Sequence, residues 1–256
     1  MAKRQPLGPP PPPAVQRVAV RYAKRGPLRF ASARDVGRAF ERAIRRAGVP
    51  IAYSAGFHPH PRLSYWGAAP TGAASEAEYL EMRLSERREL EELRVCLDAA
   101  LPEGIAVCAA ADGTGGLGAA MPSLLAASLW RLTWADVDRA DLDRAVGEFL
   151  DAGSVLVTRP ARGPKGRPRE LDVRPAVVAI APPRRAAAGE QVLKEGRVGE
   201  AMDVIVRHGQ SAVRPDDVAL ALERFLADSP SAPAAMIRLA QGPLRPGPTV
   251  GDPFEA

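Results

Sequence analysis

The sequence predicts an α+β protein made of two tandem ferredoxin-like (βαββαβ) domains. Segments that alternate apolar and polar residues interleave with segments whose apolar residues recur every three or four positions. They follow the order β-α-β-β-α-β, the split βαβ arrangement, and the order then repeats without any residue-level repeat. A glycine-rich stretch separates the two halves, and 256 residues suit one large or two small domains.

Residues 1–14, "MAKRQPLGPPPPPA", are predicted to be a disordered tail, because proline removes backbone donors and holds the chain extended. The first domain covers 15–112. It opens on "VQRVAVRY", where Val18, Val20 and Tyr22 alternate with Arg17 and Arg21. Ser32 then caps a helix, with Asp35 closing a shortened capping box. Val36, Phe40, Ile44 and Ala47 share one side of that helix, Arg34, Arg38, Arg42 and Arg45 the other, and Gly48 and Pro50 end it. A strand near 61–67, a strand over "AEYLEMRLS", a helix at about 87–101 and a strand over "GIAVCAAA" complete the unit.

Residues 113–122 read as a Gly-rich linker. The second domain covers 123–245. Strands are predicted at "SLWRLTW", "SVLVTR", "AMDVIVRHG" and "AAMIRLAQG", and helices at "ADLDRAVGEFLDAG" and "PDDVALALERFLAD". A basic hairpin at 160–180 includes an extra ribbon at "ELDVRPAVVAI", and 246–256 form a C-terminal tail.

Charge supplies the functional signal. Of 35 basic residues only Lys3, Lys24, Lys165 and Lys194 are lysine, and arginine is the better match to phosphate. Residues 1–65 hold thirteen basic side chains against Asp35 and Glu41 alone. Residues 159–185 hold eight against Glu170 and Asp172. Two concentrated basic regions point to a polyanion. The candidate phosphate-binding residues are Arg21, Lys24, Arg25, Arg29, Arg38, Arg42 and Arg45, with His60 and Arg62 fixing the substrate. Converging at one edge of the first domain, they would form a single cationic platform. The sheet face away from the helices would carry Arg17, Arg21, Arg62, Trp66, Tyr79 and Arg83, a mixture suited to stacking and phosphate contact unless the two domains pack their sheets together.

The stretch "AYSAGFHPHPRLSYW" holds two of the three histidines, His58 and His60, in a proline-stiffened segment. Their roles stay open between a turn, substrate contact, and acid–base or metal chemistry. His60 is the candidate catalytic residue, and no third metal ligand lies nearby in sequence. Gly113, Gly115 and Gly118 satisfy G-x-G-x-x-G, but Pro122 follows closely and the antiparallel order lacks the required βαβ unit. No cofactor is expected. Cys96 and Cys108 form no C-x-x-C pair, which argues against zinc ribbons, iron–sulfur clusters and disulfide scaffolds. With no signal peptide and no apolar run of membrane length, a cytoplasmic protein without a membrane partner is predicted.

The block from "YAKRGPLRFASARDVGRAF" to "ASEAEYLEM", with "KGRPRELDVRPAV", "AVRPDDVALAL" and "RLAQGPL", resembles a radical-SAM-linked (radical-SAM-associated) family of unknown function. The family's F-x-S-H-x-D appears as Phe30-Ala31-Ser32-Ala33-Arg34-Asp35, with Ala33 in place of histidine. Its GF-x-PHP is kept from Gly56 to Pro61, making His60 the family-pattern histidine. The resemblance implies a radical-SAM partner or neighbour, while the chain itself lacks the C-x-x-x-C-x-x-C ligand set. The expectation is an RNA-binding accessory protein working on tRNA or rRNA beside a radical-SAM or RNA-processing enzyme. The alternatives are a metal-independent endoribonuclease and a protein-interaction module with no RNA contact.

Overall fold

The computed structural model describes residues 11–160, 167–187, 199–209, 212–226 and 233–256. It is a mixed α+β structure that divides into two compact units, residues 1–123 and 124–256. The tail predicted at 1–14 lies mostly outside the described residues, as does the 161–166 part of the basic hairpin.

Unit 1 runs β1 (Gln16–Lys24), α1 (Ala33–Arg46), β2 (Leu63–Trp66), β3 (Ala74–Leu84), α2 (Leu90–Ala100) and β4 (Ile105–Asp112). Its strands pair antiparallel in the order β4-β1-β3-β2. Val18, Val20 and Tyr22 of β1 face Met82, Leu80 and Glu78 of β3 in register. The three β1 side chains, with Met82 and Leu80, bury against Phe40 and Ile44 of α1 and Leu93 and Leu97 of α2. Tyr22 meets Phe40 edge-to-face at 4.9 Å between ring centres, a geometry favoured by the ring quadrupoles.

The other side of this sheet, which the alternation left open between a free stacking face and a packed one, is covered at Tyr79 and Glu81. Arg17 sits opposite Arg83, Ala19 opposite Glu81, and Arg21 opposite Tyr79. Tyr79 is only 2% exposed and Glu81 3%. The expected linker contributes α3 (Leu117–Leu124), whose Met121 is fully buried. A Cβ added at Gly118 would lie 1.9 Å from Oε2 of Glu81, so only glycine lets α3 approach that carboxylate. Gly113 donates its N–H to the Arg17 carbonyl at 2.8 Å, continuing the ladder beside β1. Gly113 and Gly118 of G-x-G-x-x-G are therefore close-packing positions, whereas a Cβ at Gly115 would meet nothing within 4 Å.

Unit 2 contains β5 (Ala127–Trp134), α4 (Arg139–Asp151), β6 (Leu156–Arg159), β7 (Arg169–Asp172), β8 (Val177–Ile180), β9 (Arg184–Arg185), β10 (Glu200–Arg207), α5 (Pro215–Glu223) and β11 (Ala235–Gly242). Its strands pair antiparallel in the order β11-β5-β10-β8, with β9 on β10. Trp130 and Leu132 of β5 oppose Val204 and Met202 of β10, and all four are buried. The predicted "SVLVTR" strand does not join this sheet. It forms β6, which pairs with β7 in a separate hairpin, and β8 takes the place beside β10. The hairpin is held to α5 by Arg159, which donates to buried Asp217, and by Arg224, which donates to the Leu156 carbonyl.

Residues beyond 245 are more ordered than a tail. β12 (Leu244–Arg245) pairs with β13 (Thr249–Val250), and a 3₁₀ turn over Pro253–Glu255 follows with Pro253 buried. Gly251 donates to the Pro243 carbonyl at 2.9 Å, folding the chain back on itself.

Candidate nucleic-acid interface

α1 begins where the sequence sets it. Asp35 donates its N–H to Ser32 Oγ at 3.3 Å, and the Ser32 N–H donates to the Asp35 carboxylate at 3.2 Å. The motif Phe30-Ala31-Ser32-Ala33-Arg34-Asp35 thus acts locally as a helix cap. Hydrogen bonding from Ser32 holds the Asp35 carboxyl below its usual range, with the charges of Arg38 and Arg34 adding to it.

The helix buries Val36, Ala39, Phe40, Ala43 and Ile44. Arg34, Arg38, Arg42 and Arg45 remain exposed on the opposite side. Spaced by three or four residues, they form one row rising about 4.5–6 Å per step. Among the described residues no carboxylate forms a close ion pair with any of the four, although the Asp35 charge acts on Arg34 and Arg38 across a longer distance. Glu41, the other acid on α1, is half-buried near Tyr65. Burial pushes the Tyr65 phenol up, and the charge of Glu41 pushes it further.

The other candidates separate. Lys24 lies opposite Ser75 at one end of β1, and Arg25 donates its N–H to Gly104 there. Gln16 and Ile51 meet Leu84 at the other end, where Ala52 donates to Arg83 and Arg62 donates back to Ala52. Nine residues of strand, roughly 25–30 Å, lie between the two ends. The cluster around Arg25 and Arg29 therefore does not converge on His60 and Arg62, and the single platform is replaced by a row along α1 with one cluster at each end.

Several members are also occupied. Lys24 is buried at 3% exposure, which removes its ammonium from the surface. Arg25 makes a two-pronged contact with Glu76, Nε to Oε1 at 2.7 Å and Nη2 to Oε2 at 2.5 Å. The Arg29 guanidinium stacks 4.4 Å from the centre of the Phe30 ring. Arg21 is half-buried on the sheet face, and Arg83 contacts Glu81 at 3.0 Å. Arg46 donates to the Ala100 carbonyl on α2. Arg62 is exposed.

The stretch following α1 folds into a closed excursion. Tyr53 bridges Pro61, Ser54 donates its N–H to the His60 carbonyl at 2.9 Å, and the His60 N–H donates to Ser54 Oγ at 3.0 Å. Gly56 takes φ 141° at its tip, where a side chain would be strained. His58 and His60 are both exposed, and no hydrogen bond engages either ring among the described residues. Phe57 at the tip is 62% exposed.

In unit 2 the third histidine is tied at both nitrogens. His208 Nδ1 donates to the Leu125 carbonyl at 2.6 Å, and Nε2 sits 2.8 Å from Ser128 Oγ. The alternating "AMDVIVRHG" pattern carries no sign of this link, because the partners are about 80 residues away. Arg174 of the basic hairpin is likewise structural, donating to the Leu150 and Val177 carbonyls. Among the described residues no three His, Cys, Asp or Glu side chains group to hold a metal ion, and no helix is long and apolar enough to cross a membrane.

Residues 17–215, well over half of the chain, match the family model described as an uncharacterized protein conserved in bacteria, DUF2344. The chain belongs to DUF2344. No curated protein matches it. The DUF2344 match contains the arginine row and the 52–62 excursion of unit 1, and reaches the first residue of α5 in unit 2. β11 and the C-terminal hairpin lie beyond it. The DUF2344 description names no activity, ligand or radical-SAM partner.

Proposed function

We propose that this DUF2344 chain is an RNA-binding accessory protein in which the outer face of α1 holds the phosphates. The reading takes both units as ferredoxin-like, supported by their strand orders β4-β1-β3-β2 and β11-β5-β10-β8. The observation that carries the function is the row Arg34, Arg38, Arg42 and Arg45, exposed and without a close ion pair to any carboxylate among the described residues. A solvated helix face ordinarily intersperses both signs of charge. Four adjacent guanidinium groups repel one another, and a polyanion relieves that repulsion while releasing its counterions. The partner enzyme, a radical-SAM or other tRNA- or rRNA-modifying or processing enzyme, rests on the sequence resemblance alone.

The test is the salt dependence of RNA binding by the full chain. Each phosphate contact on a single strand contributes about 0.7 to the slope of log affinity against log salt. Arg38→Glu with Arg42→Glu should weaken binding at low salt and reduce the slope by about 1.4. Unchanged affinity and slope would remove the proposal.

A further inference from the structure

We propose that the RNA held by α1 is single-stranded, and that its bases stack on aromatic side chains at the two ends of the arginine row. This deepens the RNA reading and rests on it. The chain has six Phe, four Tyr and three Trp, and among the described residues the large exposed aromatics are Phe30, Tyr53 and Phe57. All three flank α1. Phe30 precedes the Ser32 cap, whereas Tyr53 and Phe57 belong to the excursion that follows the helix. The helix between them is about 21 Å long.

Each end is built to keep its ring in water. Phe30 is 59% exposed, and the Arg29 guanidinium lies over one face of the ring, 4.4 Å from its centre. A base stacks on either an aromatic ring or a guanidinium plane. At the other end the Tyr53–Pro61 bridge, the Ser54–His60 hydrogen bonds and Pro59 hold Phe57 away from the core. The backbone that carries the ring is therefore already ordered before a base covers it. Exposed His58, His60 and Arg62 lie on the same excursion, adding donors that reach base edges or phosphate. A duplex hides the faces of its bases and gives such rings nothing to stack on. An unpaired strand presents both groups that this surface fits, charges along the middle and π-faces at the ends.

The experiment measures fluorescence anisotropy of the full chain with a labelled twelve-nucleotide unpaired RNA and with a blunt duplex of the same length. Tyr53→Ala with Phe57→Ala should weaken unpaired RNA about tenfold and leave the duplex unchanged, while Phe57→Trp keeps the affinity. Removing internal bases from the labelled strand should cost the parent protein about as much as the double alanine change. These positions are exposed, so the variants should keep the parent melting temperature. If the double alanine variant binds unpaired RNA as the parent does, while Arg38→Glu with Arg42→Glu weakens it, stacking is wrong and the phosphate reading survives. If neither variant changes binding, both readings fail. Equal or tighter duplex binding, or polyglutamate competing as well as RNA, would overturn the single-strand proposal.

Discussion

Asp217→Ala should be among the most damaging single changes in unit 2. Its carboxylate is 1% exposed and sits at the start of α5, where it does two jobs. It accepts the Arg214 N–H at 2.7 Å, and it accepts Arg159 Nε at 3.0 Å. Arg159 is itself 20% exposed and also donates to the Ala212 carbonyl, so β6 is fastened to the helix start through one guanidinium. The carboxylate raises the Arg159 pKa through their hydrogen bond, against the opposing effect of burial. Removing one partner of a buried ion pair costs about 3–5 kcal/mol when the other charge stays buried, and the partial exposure of Arg159 places this pair at the lower end. The lost cap is worth about 0.5–2 kcal/mol. Both effects belong to one carboxylate and overlap, so the expected total is about 4 kcal/mol, or a urea midpoint lower by about 2 M. Tryptophan fluorescence in a Trp66→Phe background reports on Trp130 and Trp134, both in unit 2. Asp217→Asn keeps an acceptor for the cap and should lose less. Replacing the pair together, Arg159→Met with Asp217→Leu, should recover part of the loss. A midpoint for Asp217→Ala within about 0.5 M of the parent would refute the reasoning.

Two further perturbations test the packing. Gly118→Ala should destabilise unit 1 by about 1–3 kcal/mol by overpacking, despite a helix-propensity gain of about 1 kcal/mol. The new Cβ meets the Glu81 carboxylate, and adding Glu81→Ala should remove most of the penalty in a double-mutant cycle read by thermal melting. His208 should make unit 2 sensitive to mild acid. Burial lowers its pKa from the usual 6.5, and the charge of Arg238 lowers it further against the opposing hydrogen bond to Leu125. The unfolded chain then takes up the proton first, so this contribution is complete above pH 6.5 and is lost as pH falls through the lowered folded value. Urea titrations from pH 7 to 5 should show a falling midpoint, and His208→Gln should flatten that part of the profile.

Where neighbours in sequence are neighbours in space, the structure was legible. β1, α1 with its Ser32–Asp35 cap, β3, α2 and β4 follow from alternation, helical spacing and capping chemistry, all local properties. The failures have one cause, which is that the deciding contact is distant. "SVLVTR" and "PAVVAI" are both short apolar runs, and only pairing with β10 decides that the second enters the sheet. "ADGTGGLGAAMP" is rich in helix breakers, yet Gly118 and Met121 form a helix because burial outweighs propensity. The 52–62 excursion has no period to read, although its prolines and histidines mark it as a fixed turn.

The charge excess is the clearest instance, because a sequence counts cations without saying which are already engaged. Thirteen basic residues stand against two acids in residues 1–65. Folding buries Lys24, pairs Arg25 with Glu76, ties Arg46 to the Ala100 carbonyl and lays Arg29 on Phe30. Glu76 lies outside the counted segment, which is why the local total overstated the free charge. The row on α1 offers four guanidinium groups and Arg62 one more at the far end. The eight Lys and Arg candidates contacting phosphate would give a single-strand salt slope near −6, whereas four or five exposed guanidinium groups give about −3. A measured slope near −6 would mean that the buried and paired cations also reach RNA, and that these ion pairs open on binding.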